Sequence, residues 1–339
     1  MKNYAGRLSL AVLLIFGLCL NFSAAAWSAT WKMALGDSNG SPQHEVGKKF
    51  KEALEAKTNG KYKVTLFLNG QLGSEQDTVN DAAMGTLDMS CLAINNVTPF
   101  SPTVGVLSLP YVIQSLEEAA MLTQGEVGRE LTENTIRDAG VRIVAWTYTG
   151  FRVLTNSKKP VSTLDDLQGL IVRVPKNEIM IDTYKSWGIN PSPMAWSETF
   201  TALQQKVVDG QDNPYLTINA MQFYTVQKYI TPIRYLFSIE PLIISEQLYQ
   251  SLTPEMQEIV LAAGREATSH SQKFLADSEA AIIKDLTENK GMEIVMPADN
   301  EKLWIEKATQ AVWPKHYKSI GGKEKLEKVL EILGRPQQL

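Results

Sequence analysis

Residues able to do chemistry are sparse in this chain, and their spacing decides most of what it can be. Gly36-Asp37-Ser38-Asn39-Gly40 fits the pattern G-x-S-x-G between a predicted strand and a predicted helix, the setting of a serine nucleophile. Such a serine needs a base, and the base needs an orienting acid. The histidines are His44, His270 and His316, and the residues three places before the last two are Ala267 and Trp313, not acids. The plain reading is a glycine-rich turn ahead of a helix N-terminus, whose free N–H groups suit an anion. The same histidines and two cysteines give no metal-ligand spacing, so no metal is expected. Neither G-x-G-x-x-G nor a P-loop occurs, so no nucleotide cofactor is expected either.

Arginine carries the other candidate chemistry. Arg173 interrupts the apolar strand in Leu167-Gln-Gly-Leu-Ile-Val-Arg-Val-Pro175. A charge there pairs with a buried carboxylate or waits for a ligand; chemistry alone favours the ion pair slightly. Arg152, after Gly150-Phe151, has the same two readings. Asn213, in Val208-Asp-Gly-Gln-Asp-Asn-Pro214, reads on its own as turn chemistry.

The elements that must hold these residues alternate. Strands are predicted over 31–35, 62–68, 87–93, 141–149 with a continuation over 151–155, 170–174 and 207–211. Helices are predicted over 43–57 behind Pro42, after the capping boxes Ser74–Asp77 and Ser115–Glu118, after Thr163–Asp166, over 197–205, and from Thr253-Pro254 toward Glu288. Alternation of this kind argues for α/β layers. At 339 residues two lobes with a cleft follow, with ligands at the strand ends facing the cleft.

Composition narrows the class. Lys+Arg is 33 and Asp+Glu 37, a formal charge of −4, which disfavours a nucleic-acid partner. Lys2 and Arg7 precede the uncharged run Leu8–Leu20, and Ser23-Ala-Ala-Ala26 follows; this reads as a cleaved export signal over residues 1–26. The run is short of the roughly 20 residues a membrane span needs, so no stable anchor is expected. Removing residues 1–26 takes the charge to −6 and leaves Cys91 as the single cysteine, a core thiol in an apolar run.

Six runs occur in order: Gly70-Gln-Leu-Gly-Ser-Glu75, Leu109-Pro110-Tyr111, Gly150-Phe-Arg152, Leu167–Pro175, Ala202–Pro214 and Phe223–Tyr229. Together they resemble the extracytoplasmic solute receptors of tripartite ATP-independent periplasmic (TRAP) transporters, the DctP-like family. The resemblance implies an α/β, two-lobed periplasmic binding protein fold with a hinged cleft and a long helix bridging both lobes. We expect lobe I over 27–149 plus 239–278 and lobe II over 150–238 plus 279–339. It implies no enzyme activity, a periplasmic monomer, TRAP membrane permease subunits as partners, and an organic acid as ligand. Arg173 would grip the ligand carboxylate through parallel N–H donors, with Arg152 and Asn213 at the same end. Asp212 stands where the family motif often has Glu. Asp37, Ser38, Glu75, Asn95 and Asn96 match regions that line the cleft. Trp146, Trp196, Phe200, Tyr215 and Tyr235 are candidate ligand walls, each more often core, and His44 faces the ligand or caps its helix. Several polar groups suit a sugar acid such as a uronate or aldonate. A C4-dicarboxylate is the alternative and wants a second cation. Lesser alternatives are an ABC-type binding protein and an esterase, since Gly36-Asp37-Ser38 is similar to the first block of the GDSL hydrolases, whose later blocks are missing.

Overall fold

The computed structural model describes residues 29–336; the export signal expected over 1–26 lies outside them. In chain order the first elements are β1 (Ala29–Leu35), α1 (Pro42–Lys57), β2 (Tyr62–Phe67), α2 (Glu75–Ala83), β3 (Met89–Cys91), α3 (Leu116–Thr123), α4 (Glu126–Ala139) and β4 (Val141–Ala145). The middle of the chain gives β5 (Tyr148–Asn156), β6 (Val172–Val174), α5 (Glu178–Ser186), β7 (Ser192–Pro193), α6 (Trp196–Gln204), β8 (Gly210–Pro214), α7 (Tyr215–Ala220), β9 (Tyr229–Thr231) and β10 (Phe237–Ile239). It returns as β11 (Leu242–Ser245), α8 (Glu246–Ser251) and α9 (Pro254–Glu288), and ends with β12 (Glu293–Ile294), α10 (Lys302–Ile320) and α11 (Lys323–Ile332).

The strands form two sheets, one per lobe. The first runs β2-β1-β3-β11-β4; the second runs β12-β9-β5-β8-β6-β7, with β10 paired to β5. Among the described residues two direct strand-to-strand crossovers pass between them, β4 to β5 through Trp146-Thr147 and β10 to β11 through Glu240-Pro241, while β11 and β12 are joined through the helices between them. The single strand expected over 141–149 is therefore two strands in different sheets, because the chain changes lobe at Thr147. The two crossovers are tied together. The Glu240 N–H donates to the Thr147 carbonyl at 2.8 Å, and the Thr147 hydroxyl donates to the Glu240 carbonyl.

Sequence explains the helices that frame the cleft. Ser41 caps α1 by accepting from the His44 N–H, Pro42 sits in its first turn, and Val46, Phe50 and Leu54 bury one face against β1. Ser74 and Asp77 make the reciprocal capping box of α2, which sets Glu75 at its first residue. Thr253 and Pro254 start α9, whose 35 residues span about 52 Å. Its buried residues enter several cores in turn: Val260, Ala263 and Ala267 beside β1 and α1, Leu275 beside β5 and β10, and Leu286 beside β9 and α7. Gly264 lets this helix lie against β4, since a Cβ there would stand 1.9 Å from the Val144 carbonyl oxygen. The long helix thus joins both lobes.

The C-terminal helices pack against more than one core. α10 packs Trp304 and Ala308 into the core around α5, then Val312, Trp313 and Ile320 into the core of the first sheet's helices. Lys325 and Lys328 of α11 pair with Glu130 and Glu126 of α4. The segment over 302–332 therefore straddles the two lobes. Cys91 is fully buried on β3, and burial pushes its thiol well up. Among the described residues no helix is long and apolar enough to cross a membrane.

Candidate functional site

A small, polar cavity lies between the sheets. On the second lobe it is walled by Arg152, Arg173, Pro175, Trp196, Asn213 and Thr217; on the first, by Asp37, Gln43, Glu75, Ala93, Asn95 and Asn96, with Glu240 at the crossover. Strand register places the arginines. Arg173 on β6 is opposite Gln211 on β8, so Arg173, Gln211 and Asn213 share one face; Arg152 and Asp212 share the other. Both groups reach the cleft because it lies at the strand ends. The strand expected over 207–211 is shifted to 210–214, after a turn at Lys206 with φ 59°, so Asn213 is a strand residue and not a turn residue.

The two arginines are in different electrostatic states. Arg152 donates from Nε to Asp212 Oδ2 at 2.9 Å and from Nη2 to the Asp212 carbonyl; this pair is fully buried. Burial opposes the Arg152 charge, but the Asp212 carboxylate outweighs it and the Arg152 pKa rises. Arg173 is 2% exposed and spends Nε and Nη2 on the Met194 carbonyl at 3.1 and 2.8 Å. It has no carboxylate partner and its Nη1 makes no hydrogen bond among the described residues. Burial, then repulsion from Arg152, lowers its pKa to about 10, so it stays charged at neutral pH. The structural ion pair weighed for both arginines holds for Arg152 alone. The Trp196 ring lies 5.6 Å from the Arg173 guanidinium carbon.

The opposite wall is acidic. Glu75 accepts from Gln43 Nε2 at 3.0 Å, from the Ala93 N–H at 3.4 Å and from Asn96 Nδ2. Gln43 Oε1 in turn accepts from the Gly36 and Asp37 N–H groups at 2.7 and 3.2 Å. Burial raises the pKa of Asp37, Glu75 and Glu240; mutual repulsion adds to the effect at Asp37 and Glu240. The lobes also touch across the mouth. Trp196 Nε1 donates to Asp37 Oδ1 at 2.9 Å, Asn177 Nδ2 to the Asn95 carbonyl at 2.9 Å, and Gln76 Nε2 to the Lys176 carbonyl at 3.0 Å. The arrangement is closed.

Of the expected residues, Asp37, Glu75, Asn95, Asn96, Arg152, Arg173, Trp196 and Asn213 converge on the cavity. Ser38 does not line it. Its hydroxyl donates to the Ala220 carbonyl across the cleft at 2.9 Å, which ties the lobes and engages no histidine. His44 also stays outside: its Nδ1 accepts from the Gly40 N–H at 3.2 Å, the capping alternative. Tyr235 is fully buried, packed edge-on to Trp187 and Tyr184, and donates its hydroxyl to Asp212 Oδ2. It is core that orients the acid behind Arg152. Trp146, Phe200 and Tyr215 also pack in cores. Gln43, Thr217 and Glu240 were not anticipated. For Glu240 the signal was available: it is a lone charge in the apolar run 235–244, the same anomaly that marked Arg173.

The chain matches the family model "Bacterial extracellular solute-binding protein, family 7" over residues 33–320. A TRAP periplasmic solute-binding protein of Haemophilus influenzae, solved with bound L-gulonate, is 31% identical, covers 90% of this chain and 100% of its own, and superposes with a TM-score of 0.84. The 2,3-diketo-L-gulonate-binding periplasmic protein YiaO of Escherichia coli is 28% identical over 85% of this chain and 88% of its own. The C4-dicarboxylate-binding protein DctB of Bacillus subtilis is 26% identical over 86% and 83%. The chain belongs to the family 7 extracellular solute-binding proteins, the DctP-like receptors of TRAP transporters.

Proposed function

We propose that this receptor captures a hydroxylated monocarboxylate, a sugar acid such as a uronate or aldonate, and hands it to TRAP permease subunits. The observation that carries the reading is Arg173: a buried guanidinium with unspent donors, facing a wall of carboxyl and amide acceptors. One ligand carboxylate meets Arg173 and Asn213; the ligand hydroxyls meet Asp37, Glu75, Asn95 and Asn96. The sugar-acid relatives support the same class. A C4-dicarboxylate is less suited, because its second carboxylate would face Asp37, Glu75 and Glu240 and find no second free cation; Arg152 is neutralised by Asp212. An export signal over 1–26, a periplasmic location and a monomeric state complete the proposal.

A thermal-shift panel tests it. L-gulonate, D-galacturonate, D-glucuronate and D-erythronate are compared with succinate and malate. A ligand at a hundred times its Kd adds about 2.7 kcal/mol and raises the melting temperature. Elevation by at least one sugar acid is expected; elevation by dicarboxylates alone overturns the reading.

A further inference from the structure

Glu240 occupies a place in the fold that no other cavity residue shares. Its backbone is the crossover from β10 to β11, hydrogen-bonded in both directions to Thr147 of the other crossover. Its side chain lines the ligand cavity, is 6% exposed, and leaves Oε2 buried without a partner. An ionised carboxylate so placed has lost water and gained no donor on that oxygen.

The groups facing it come from every element around the site. Asp37 after β1 and Glu75 at the start of α2 are acids; Cys91 on β3 is a buried thiol; Gln43 on α1 and Thr149 on β5 are neutral groups that act to lower the Glu240 pKa. The cations are Arg152 on β5, committed to Asp212, and Arg173 on β6 across the cavity. Three acids thus share one enclosed space with one uncommitted guanidinium, and the incoming ligand adds another negative charge beside it.

We propose that Glu240 is the hinge acid of this receptor, taking a proton from solution as the lobes close on the ligand, so that capture is proton-linked. The inference rests on the sugar-acid reading of the site. The protonated carboxyl becomes a donor and removes one negative charge from the closed cavity; on opening, water reaches the crossover and the proton leaves. Burial, then repulsion from Glu75, raises the Glu240 pKa to about 7 in this closed arrangement. The ordinary glutamate value is about 4.3. A group whose pKa rises on closure favours the closed, ligated form at low pH and loses that effect as pH rises through the raised value. The working window is therefore pH 6 to 8. The ligand carboxylate itself does not titrate there.

Titration calorimetry decides it, with L-gulonate and D-galacturonate as probes, in buffer pairs of low and high ionisation enthalpy at pH 6, 7 and 8. Wild-type protein is expected to take up about half a proton per ligand at pH 7, more at pH 6 and little at pH 8. Its affinity should weaken above pH 7 by up to about tenfold per pH unit. Glu240→Gln, whose amide keeps a donor in place, should bind with clearly reduced proton uptake and a flatter pH profile, the remainder belonging to Asp37 and Glu75. Glu240→Ala, run in parallel, should show the same reduced uptake and bind more weakly. Measurable heat without proton uptake in wild type overturns the proposal, as does a Glu240→Gln profile that keeps the wild-type slope. If no probe gives heat at any pH, the sugar-acid reading fails instead.

Discussion

Replacing each arginine by methionine separates their roles. Both guanidiniums line the same cavity and both are buried, so a description by proximity would treat them alike. Their partners say otherwise. Arg152→Met strips Asp212 of its bidentate partner and leaves a fully buried carboxylate facing the Tyr235 hydroxyl alone. Breaking a buried pair from one side costs about 3–5 kcal/mol. At roughly 2–4 °C per kcal/mol, the ligand-free protein should melt roughly 6–20 °C lower. Arg173→Met removes a buried charge that no carboxylate balances and that Arg152 repels. It forfeits the hydrogen bonds to the Met194 carbonyl, worth about 1–3 kcal/mol, and recovers the desolvation of an unpaired guanidinium. These oppose each other, so the ligand-free melting temperature should move by only a few degrees. Binding should respond in the reverse order of severity. Losing the charge that holds a desolvated carboxylate costs about 2–5 kcal/mol, roughly 30- to 4000-fold in Kd. Scanning calorimetry of the ligand-free variants and titration with the acid selected by the panel supply both readings. An Arg173→Met variant that binds as wild type, or that unfolds while Arg152→Met stays stable, refutes the assignment of roles.

Two further outcomes follow from the cleft geometry. Gly36→Ala puts a Cβ 2.8 Å from Trp196 Cδ1 across the closing lobes, and 3.1 Å from Glu75 Oε1 on its own lobe. Overpacking of this kind costs about 1–3 kcal/mol, here paid by closure, so calorimetric affinity should fall roughly 5- to 150-fold while the ligand-free melting temperature holds; an unchanged Kd would show that Trp196 yields. Tyr235→Phe removes the hydroxyl that supports Asp212 and should cost about 1.5–3 kcal/mol of stability with ligand affinity nearly intact; a large loss of affinity without loss of stability would place the ring in the binding wall.

Local signals read well where local chemistry alone decides structure. Ser41-Pro42, the Ser74–Asp77 box and Thr253-Pro254 start helices where expected, because a cap is satisfied within its own turn. The strand over 141–149 read as one element because its apolar residues are continuous, and only tertiary pairing reveals that the chain changes sheet at Thr147. Helix α6 begins at Trp196, one residue before the expected start at Ser197, because Glu198 reaches back to the Ala195 N–H. That shift sets Trp196 in the first turn, where its indole N–H meets Asp37. Arg152 and Arg173 were visible as charges in apolar strands, but which of them is paired depends on Asp212 lying on the same face of the sheet as Arg152. Gln43 carried no signal, since a glutamine in a helix's first turn is ordinary until Glu75 folds against it.

The distribution of unsatisfied groups makes closure of an empty cleft costly. Asp37 Oδ2, Asn95 Nδ2, Thr217 Oγ1 and Glu240 Oε2 are buried without a protein partner, and all four belong to residues lining the cavity. Each such group costs about 1–3 kcal/mol when closure removes its water. To these add Arg173, whose charge has no carboxylate to meet. The sum opposes closure of the unligated cleft, and opening relieves it by readmitting water. A polyhydroxylated acid supplies a carboxylate for Arg173 and hydroxyls that both donate and accept, so it offsets these costs in the closed form and gains nothing comparable in the open one. Moving a two-state hinge from 1:99 to 99:1 needs about 5.5 kcal/mol of differential affinity. Four unsatisfied groups at the stated cost reach about 4–12 kcal/mol, a range that brackets this requirement. The polar misfits are therefore the closing switch, and filling them with well-packed apolar side chains should stabilise the closed form while abolishing its dependence on ligand.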